Sequence, residues 1–176
     1  MNALKKLTGM AVLLLLLQAC VIEDESGVPV SNSEYTPILM ERSALASSVS
    51  YQANQDLQNP GKFYLYGNFL FINEKYKGVH IIDNTTPETP INIGFVKIPG
   101  CLDIAVRAGV LYADNAVDLV AIDVTKFPDI VVKSRVPDVF PEPSPPDGLT
   151  VPSEFSLGNR PDNTVIVEWI KNPKDE

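Results

Sequence analysis

One stretch of the sequence repeats the same unit after about 40 residues, a period typical of propeller-like repeats. Pro60, Pro99 and Pro137 open successive copies, at spacings of 39 and 38 residues. Asp83 and Asp123, which end the most apolar run of each copy, are 40 residues apart. The repeat therefore predicts an all-β protein built from antiparallel, four-stranded, propeller-like blades.

Each copy supplies four short strands, because β-branched and aromatic runs alternate with turn residues. Gly67-Asn68 and Ala108-Gly109 are predicted to form tight hairpin turns. Asp83 and Asp123 are predicted to accept backbone N–H bonds in the loops that follow them. The predicted strands are 62–66, 69–73, 79–82 and 91–98 in copy one, and 102–107, 110–114, 119–122 and 130–136 in copy two.

The number of copies limits the architecture. A third copy is predicted to start at Val136, but propellers usually need about 4–8 blades. We therefore predict two to three blades in a partial or open propeller, with residues 62–140 forming two of them. Because an uncovered edge strand invites aggregation, the N-terminal segment or the tail is expected to cap an edge. Three alternatives stay open: an open stack, assembly with another chain, or a longer product of which this sequence is a part.

The two strand-ending runs carry a family resemblance. Residues 78–84, Gly-Val-His-Ile-Ile-Asp-Asn, and 118–124, Asp-Leu-Val-Ala-Ile-Asp-Val, resemble the LVIVD repeat. The longer segment 67–123 is similar to uncharacterised LVIVD-repeat lipoproteins of Bacteroidetes. The resemblance implies propeller-like blades on a secreted or anchored protein, and it implies no particular activity. Asp118 departs from the glycine that the repeat usually has, so its turn is expected to differ from that of copy one.

Residues 1–19 are predicted to be a lipoprotein signal peptide. Lys5 and Lys6 precede an apolar run, 7–17, which is too short to span a bilayer and is typical of a secretory signal. Residues 17–20, Leu-Gln-Ala-Cys, resemble a bacterial lipobox, which implies cleavage before Cys20 and lipid on its sulfur. The predicted location is the outer membrane of a bacterial cell envelope, on either face, with the membrane as a partner.

The remaining segments connect or cover the repeat. Residues 20–34 are predicted to be a flexible tether, whose acidic run at 23–25 is either a surface-export signal or a solvated linker. Residues 35–61 are predicted to hold an extended segment and one short helix, at 41–49. Residues 141–176 are predicted to be a proline-rich connector and a final strand, at 163–169. The proline-rich run is either a stiff connector or a ligand for an aromatic groove.

No catalytic, cofactor or metal site is predicted. His80 lies inside an apolar strand and is expected to be packed, and Cys101 is expected to be a small buried residue. Nucleophile and nucleotide motifs are not found. Asp114-Asn115 with Asp118, and Asp83-Asn84 with Glu88, supply oxygen atoms for calcium, but turn chemistry explains them better. The net charge of −8 and the lack of a basic patch argue against a nucleic-acid partner.

Three functions remain after these exclusions. The favoured one is a lipid-anchored binding or scaffold protein that presents loops to an envelope protein or glycan. The second is a glycan hydrolase that uses loop carboxylates, for which Asp103, Asp114 and Asp118 are the candidates. The third is a subunit that completes a propeller with a partner chain. Most blade aromatics are expected in the core, and exposed ones are expected to form a binding face: Tyr64, Tyr66, Phe69, Phe71, Tyr76 and Tyr112.

Overall fold

The computed structural model describes residues 33–173, and the signal peptide, Cys20 and most of the tether lie outside the described residues. Within this range the regular structure is mostly strands, with one short helix and one 3-10 turn, which confirms that the protein is all-β. No helix within residues 33–173 is long and apolar enough to cross a membrane. The elements are β1 Tyr35–Glu41, α1 Arg42–Ala46, β2 Ser50–Gln52, β3 Pro60–Tyr66, β4 Phe69–Glu74, β5 Gly78–Asp83, β6 Ile91–Lys97, β7 Ile104–Arg107, β8 Val110–Asn115, β9 Asp118–Asp123, β10 Val131–Val136, a short 3-10 turn at Ser153–Phe155, and β11 Thr164–Lys171.

The strands form three antiparallel sheets, one for each copy of the repeat and one at the termini of the described chain. The first sheet has the order β2-β6-β5-β4-β3, the second sheet β10-β9-β8-β7, and the end sheet β1-β11. All eight strands predicted from the repeat are present, with ends that differ by one or two residues. Each copy is thus an antiparallel meander of four strands.

Turn chemistry explains why the strands end where they do. Tyr66 pairs with Phe69, so Gly67, with φ of 58°, is part of a two-residue hairpin loop. In both copies the aspartate that ends the third strand accepts a backbone N–H bond two residues on. Thr85 donates to Asp83 Oδ1 at 2.9 Å, and Thr125 donates to Asp123 Oδ1 at 3.0 Å. The predicted aspartate turns are therefore confirmed.

The main core lies between the first and second sheets. One face of the first sheet, which we name the Phe71 face, packs against one face of the second sheet, which we name the Leu111 face. Cys101 and Ile98, in the β6–β7 connection, complete this core and are fully buried. The core residues from the two faces are Phe71, Val79, Ile81, Val96, Ile104, Val106, Leu111, Ala113, Val120 and Ile122.

The predicted third copy is wrong for the described chain. After Val136 the chain passes through residues 137–163 without a strand, and β11 then pairs with β1 instead of starting a new meander. The prolines at 141, 143, 145 and 146 remove backbone donors, so this segment cannot extend a ladder. The N-terminal segment does cover an edge, as expected, because Ser50 and Gln52 of β2 pair with Lys97 and Phe95 of β6.

The helix is shorter than predicted. It ends at Ala46, and Ser48 donates to the Leu45 carbonyl through both its N–H, at 3.1 Å, and its hydroxyl, at 2.8 Å. The chain then enters β2 because Ser50 pairs with Lys97. Leu45 and Val49, at the two ends of the predicted helix's last turn, pack into different apolar clusters. Glu41 precedes the helix and makes no side-chain cap.

The proline-rich segment packs along the end sheet of its own chain. The Trp169 indole N–H donates to the Pro143 carbonyl at 2.8 Å, and the two Nη atoms of Arg160 contact both oxygens of Glu142. Asp147 Oδ2 accepts from the Ser33 hydroxyl at 2.8 Å. This segment is therefore fixed at several points, as a stiff connector requires.

Candidate binding groove

A groove of about 810 Å³ lies between the end sheet and the β4–β5 turn of the first sheet. β1 and β11 form one wall, through Tyr35, Met40 and Trp169 among others. The opposite wall is the β4–β5 turn, and the segment after β2 and the β6–β7 connection close the ends. The groove thus brings together parts of the chain that are more than 100 residues apart.

Aromatic side chains line this groove and are held in place by backbone contacts. Tyr76 sits at φ of 66°, where its N–H donates to the Cys101 carbonyl and its carbonyl accepts from Gly100, both at 2.8 Å. Burial raises the pKa of the Tyr76 hydroxyl, and the nearby Glu168 carboxylate raises it further. Trp169 is anchored through its indole N–H. Trp169 is 4% exposed and supports the wall, so the accessible aromatic surface comes from the half-buried Tyr35 and Tyr76. Such aromatic surface is common in recognition sites.

Three basic and three acidic residues line the groove: Lys75, Lys77, Lys97, Asp56, Glu74 and Glu168. Lys77 pairs with Glu168 across the groove, and Lys75 and Lys97 are exposed at its rim. Glu74, the innermost carboxylate, is engaged by the protein itself. It accepts from the Gln58 N–H at 3.0 Å and from the Asn59 N–H, and it contacts His80 Nε2 at 3.1 Å.

His80 is packed, as the sequence predicts. It is fully buried, its Nδ1 lies 3.4 Å from Asn92 Nδ2, and its ring meets Phe95 edge-on at 4.8 Å. With Glu74 it links β5 to the segment that crosses from β2 to β3. Burial alone would raise the pKa of Glu74, but the N–H groups of Gln58 and Asn59 and the His80 ring together hold it below 4.5.

Replacing Glu74 with glutamine is expected to flatten the acid dependence of stability. Because the folded-state pKa is depressed, this carboxylate stabilises the fold above about pH 4.5, and that contribution is lost as the pH falls through the folded-state value. At pH 7 we expect Glu74→Gln to lower the free energy of unfolding by about 1–3 kcal/mol. Urea titrations at pH 7 and pH 3 should show that the free energies of unfolding of the wild type and the variant are closer at pH 3 than at pH 7. Glu88→Gln, at an exposed position, is the control, and an equal gap at both pH values for Glu74→Gln would contradict the assignment.

The three candidate carboxylates of a hydrolase do not meet in one cleft. Asp103 and Asp114 line a second, smaller cavity of about 520 Å³ under the proline-rich segment. Asp118 is buried and binds Arg42 and Arg135 at 2.9 and 2.8 Å. Asp114 accepts the N–H groups of Leu102 and Asp103 at 2.9 and 2.8 Å through one oxygen. Burial raises the pKa of Asp114 despite these bonds.

Cys101 is buried, as predicted, and its environment does not favour a thiolate. Burial raises the pKa of the thiol well above its usual value, and the carboxylate of Asp114 adds to this. Asn73 Nδ2 lies 3.3 Å from the sulfur and 3.1 Å from the Cys101 carbonyl. Asn73 Oδ1 has no hydrogen-bond partner. Within residues 33–173, no group of three side chains is arranged to hold a metal ion.

The aromatic residues of the repeat are less buried than the sequence suggested. Phe71 is in the core, but Tyr64, Tyr66, Phe69 and Tyr112 are exposed. Tyr64, Tyr66 and Phe69 are exposed because β3 and the near end of β4 lie at an edge of the first sheet. Tyr112 lies on β8 of the second sheet and lines the second cavity. The groove residues Lys75, Lys77 and Trp169 were not singled out from the sequence. The one available signal was the longer β4–β5 turn, which has three residues where copy two has two.

Comparison with known proteins finds no matching family model, no matching curated protein and no matching solved structure.

Proposed function

We propose that this chain is a lipid-anchored binding protein of a bacterial cell envelope, built from LVIVD-like blades, which uses the groove beside the β4–β5 turn to hold an envelope protein or glycan. The observation that carries the proposal is the groove itself. It combines anchored aromatic rings, exposed lysines and amide side chains in one concave surface. The lipobox-like sequence before Cys20 supports the location.

The chemistry of the groove favours binding over hydrolysis. Of the three carboxylates that line the groove, Glu74 is saturated by the N–H groups of Gln58 and Asn59 and by His80, and Glu168 is paired with Lys77. This leaves Asp56, which is exposed, without a second uncommitted carboxylate in the groove. A hydrolase of glycans uses two carboxyl groups about 5–10 Å apart on either side of the scissile bond. Aromatic faces and amides suit sugar rings or peptide side chains equally well, and the rim lysines favour a ligand with negative charge.

A hydrolase at the second cavity is the alternative. One observation favours it: Asp103 and Asp114 line the same cavity, and the pKa of Asp114 is raised, as a general acid requires. The two backbone N–H bonds to one oxygen of Asp114 give that carboxylate a structural role instead. Release of sugar from purified envelope glycan by the wild type, with loss of activity in Asp114→Asn, would favour the alternative.

The proposal is tested by crosslinked capture from intact cells, with the lipidated protein as bait. We expect one abundant envelope partner or glycan, and we expect recovery to fall at least about tenfold in the double variant Lys75→Glu, Lys97→Glu, because both charges at the rim are reversed. Lys133→Glu changes an exposed lysine on β10, outside the groove, and is the matched control. Equal recovery with all three baits would contradict a role for the groove.

The anchor is tested by the same bait with Cys20→Ala. We expect this variant to lose the mass of the lipid and to leave the membrane fraction, because several acyl chains are needed for stable attachment. A variant that stayed with membranes at an unchanged mass would contradict lipidation at Cys20, independently of what the groove binds.

A further inference from the structure

The first and second sheets, each containing one four-stranded meander, stack through opposite faces of equivalent strands. Phe63 is equivalent to Ile104 and Leu65 to Val106, because β3 pairs with β4 in the first sheet as β7 pairs with β8 in the second sheet. By the same alignment Leu70 corresponds to Leu111, and Phe71 to Tyr112. The first sheet contributes its Phe71 face to the core, whereas the second sheet contributes the face that corresponds to Leu70. The contact between the sheets is therefore head-to-tail, because it joins two faces that are not equivalent.

A head-to-tail contact leaves one unused face at each end of the stack. On the first sheet this is the Leu70 face, which includes Phe63 and Leu65. Phe63 is 74% exposed, whereas its counterpart Ile104 is 8% exposed. Leu65 is 59% exposed, whereas its counterpart Val106 is 2% exposed. The residues through which β7 packs into the core are thus buried in the second sheet, whereas the equivalent residues of β3 are exposed in the first sheet.

The other end of the stack shows the reverse asymmetry. On the second sheet the face outside the core is the Tyr112 face, which also carries Leu119 and Val136. Tyr112 and Leu119 line the second cavity, so the proline-rich segment borders this face but leaves Tyr112 exposed. Val136 is equivalent to Val96, because each pairs with the second residue of the preceding strand of its sheet. Val136 is 50% exposed, whereas Val96 is fully buried. Tyr112 is exposed whereas Phe71 is buried. Both open faces keep the apolar residues that form an interface within the chain.

The segment between β2 and β3 covers only part of the Leu70 face. Asn92 Nδ2 donates to the Gln55 carbonyl at 2.9 Å, and Gln58 donates to Glu74, so this segment lies over His80 and Phe95. It does not bury Phe63 or Leu65 on β3. The open area is thus the part of the first sheet nearest β3. The equivalent strand of the second sheet is β7, and its residues Ile104 and Val106 are buried.

We propose that the Leu70 face of one copy binds the Tyr112 face of a second copy of this chain, and so repeats between molecules the sheet contact that exists within each one. A second copy is the favoured occupant because it presents the face that matches, with the same strand order and spacing. Closure of such a contact at the usual number of about 4–8 sheets would take two to four copies. The contact involves neither the groove nor the lipid, so it can fail without affecting the proposed function.

The oligomeric state tests the proposal. Sedimentation equilibrium of the lipidated, full mature chain in detergent is expected to give two to four chains per particle. Leu65→Asp and Tyr112→Asp are each expected to give single chains, with an unchanged circular dichroism spectrum, because both positions are exposed in the isolated copy. Leu157→Asp, at a residue 78% exposed outside both faces, is the matched control and should leave the mass unchanged. A wild type that is a single chain at every concentration would overturn the proposal.

The direction of the contact is tested by crosslinking between two differently tagged copies. A thiol-specific reagent should join Leu65→Cys of one copy to Tyr112→Cys of the other, because Cys101 is fully buried. Joining of Leu65→Cys to Leu65→Cys alone would mean a two-fold contact and overturn the head-to-tail arrangement. Joining of Leu65→Cys to a different protein instead would assign another occupant and also overturn it.

Discussion

Replacing Gly78 with alanine is expected to lower the free energy of unfolding by about 3–5 kcal/mol, which is large for one methyl group. Gly78 has a φ of 147°, which L side chains rarely adopt. An added Cβ would lie 2.0 Å from the Val96 carbonyl oxygen and 2.9 Å from the Ile98 nitrogen. Both are backbone atoms, in β6 and in the residue directly after Lys97, so the clash cannot be relieved by a side-chain rotation. Strain in the backbone and overpacking each contribute about 1–3 kcal/mol.

Gly67→Ala separates these two contributions. Gly67 also has a positive φ, 58°, but an added Cβ would meet no atom within 4 Å. It should therefore cost only about 1–2 kcal/mol, for backbone conformation alone. Urea unfolding of both variants measures the difference. If Gly78→Ala were no more destabilised than Gly67→Ala, the close packing of β5 against β6 would be refuted.

Replacing Asp118 with alanine is expected to cost about 2–4 kcal/mol. Its carboxylate, 5% exposed, accepts bonds from Arg42 at 2.9 Å, Arg135 at 2.8 Å and the Asp138 N–H at 3.2 Å. Burial alone would raise the pKa of Asp118, but Arg135, the Asp138 N–H and Arg42 together hold it below its usual range. Removal of the carboxylate leaves two partly buried guanidinium groups without their shared partner, which is the costly way to break such a pair.

An exposed carboxylate provides the control for this prediction. Glu34 pairs with Lys171 at 3.4 Å on the surface, so Glu34→Ala should change the free energy of unfolding by less than about 1 kcal/mol. Thermal unfolding of the two variants should therefore give clearly different midpoints. A small effect of Asp118→Ala would mean that Arg42 and Arg135 find other partners, and that α1 is not fixed to β9 by this carboxylate.

Gly78 and Asp118 occupy the same place in the two copies, and the structure explains why their residues differ. β6 continues to Lys97 and pairs it with Gly78, so the neighbouring backbone occupies the space of a side chain. β10 ends at Val136, which pairs with Leu119, so no strand residue lies opposite Asp118. The space opposite Asp118 is therefore free of strand backbone, so a carboxylate can replace the glycine at this position. The turns also differ, as expected, by one residue.

The amino-acid sequence by itself determined the two meanders. Their strands, hairpins and aspartate turns depend on contacts between residues close in the chain, and such contacts leave a direct pattern in the sequence. The burial of His80 followed from the apolar run around it, and the burial of Cys101 from its small apolar side chain at the start of a predicted strand. The prediction of a third copy was wrong because it depended on the opening turn alone. Prolines stand where the strands of that copy should follow.

Tertiary structure alone decided the groove, the end sheet and the faces that remain open. β1 and β11 meet although more than 100 residues separate them, and no local pattern specifies that pairing. The groove residues come from six separate segments, so their side chains converge only after the chain has folded. Whether Phe63 or Ile104 is covered depends on which sheet lies in front of it. Strand periodicity places both residues on an apolar face, but only the packing of whole sheets leaves one of them open.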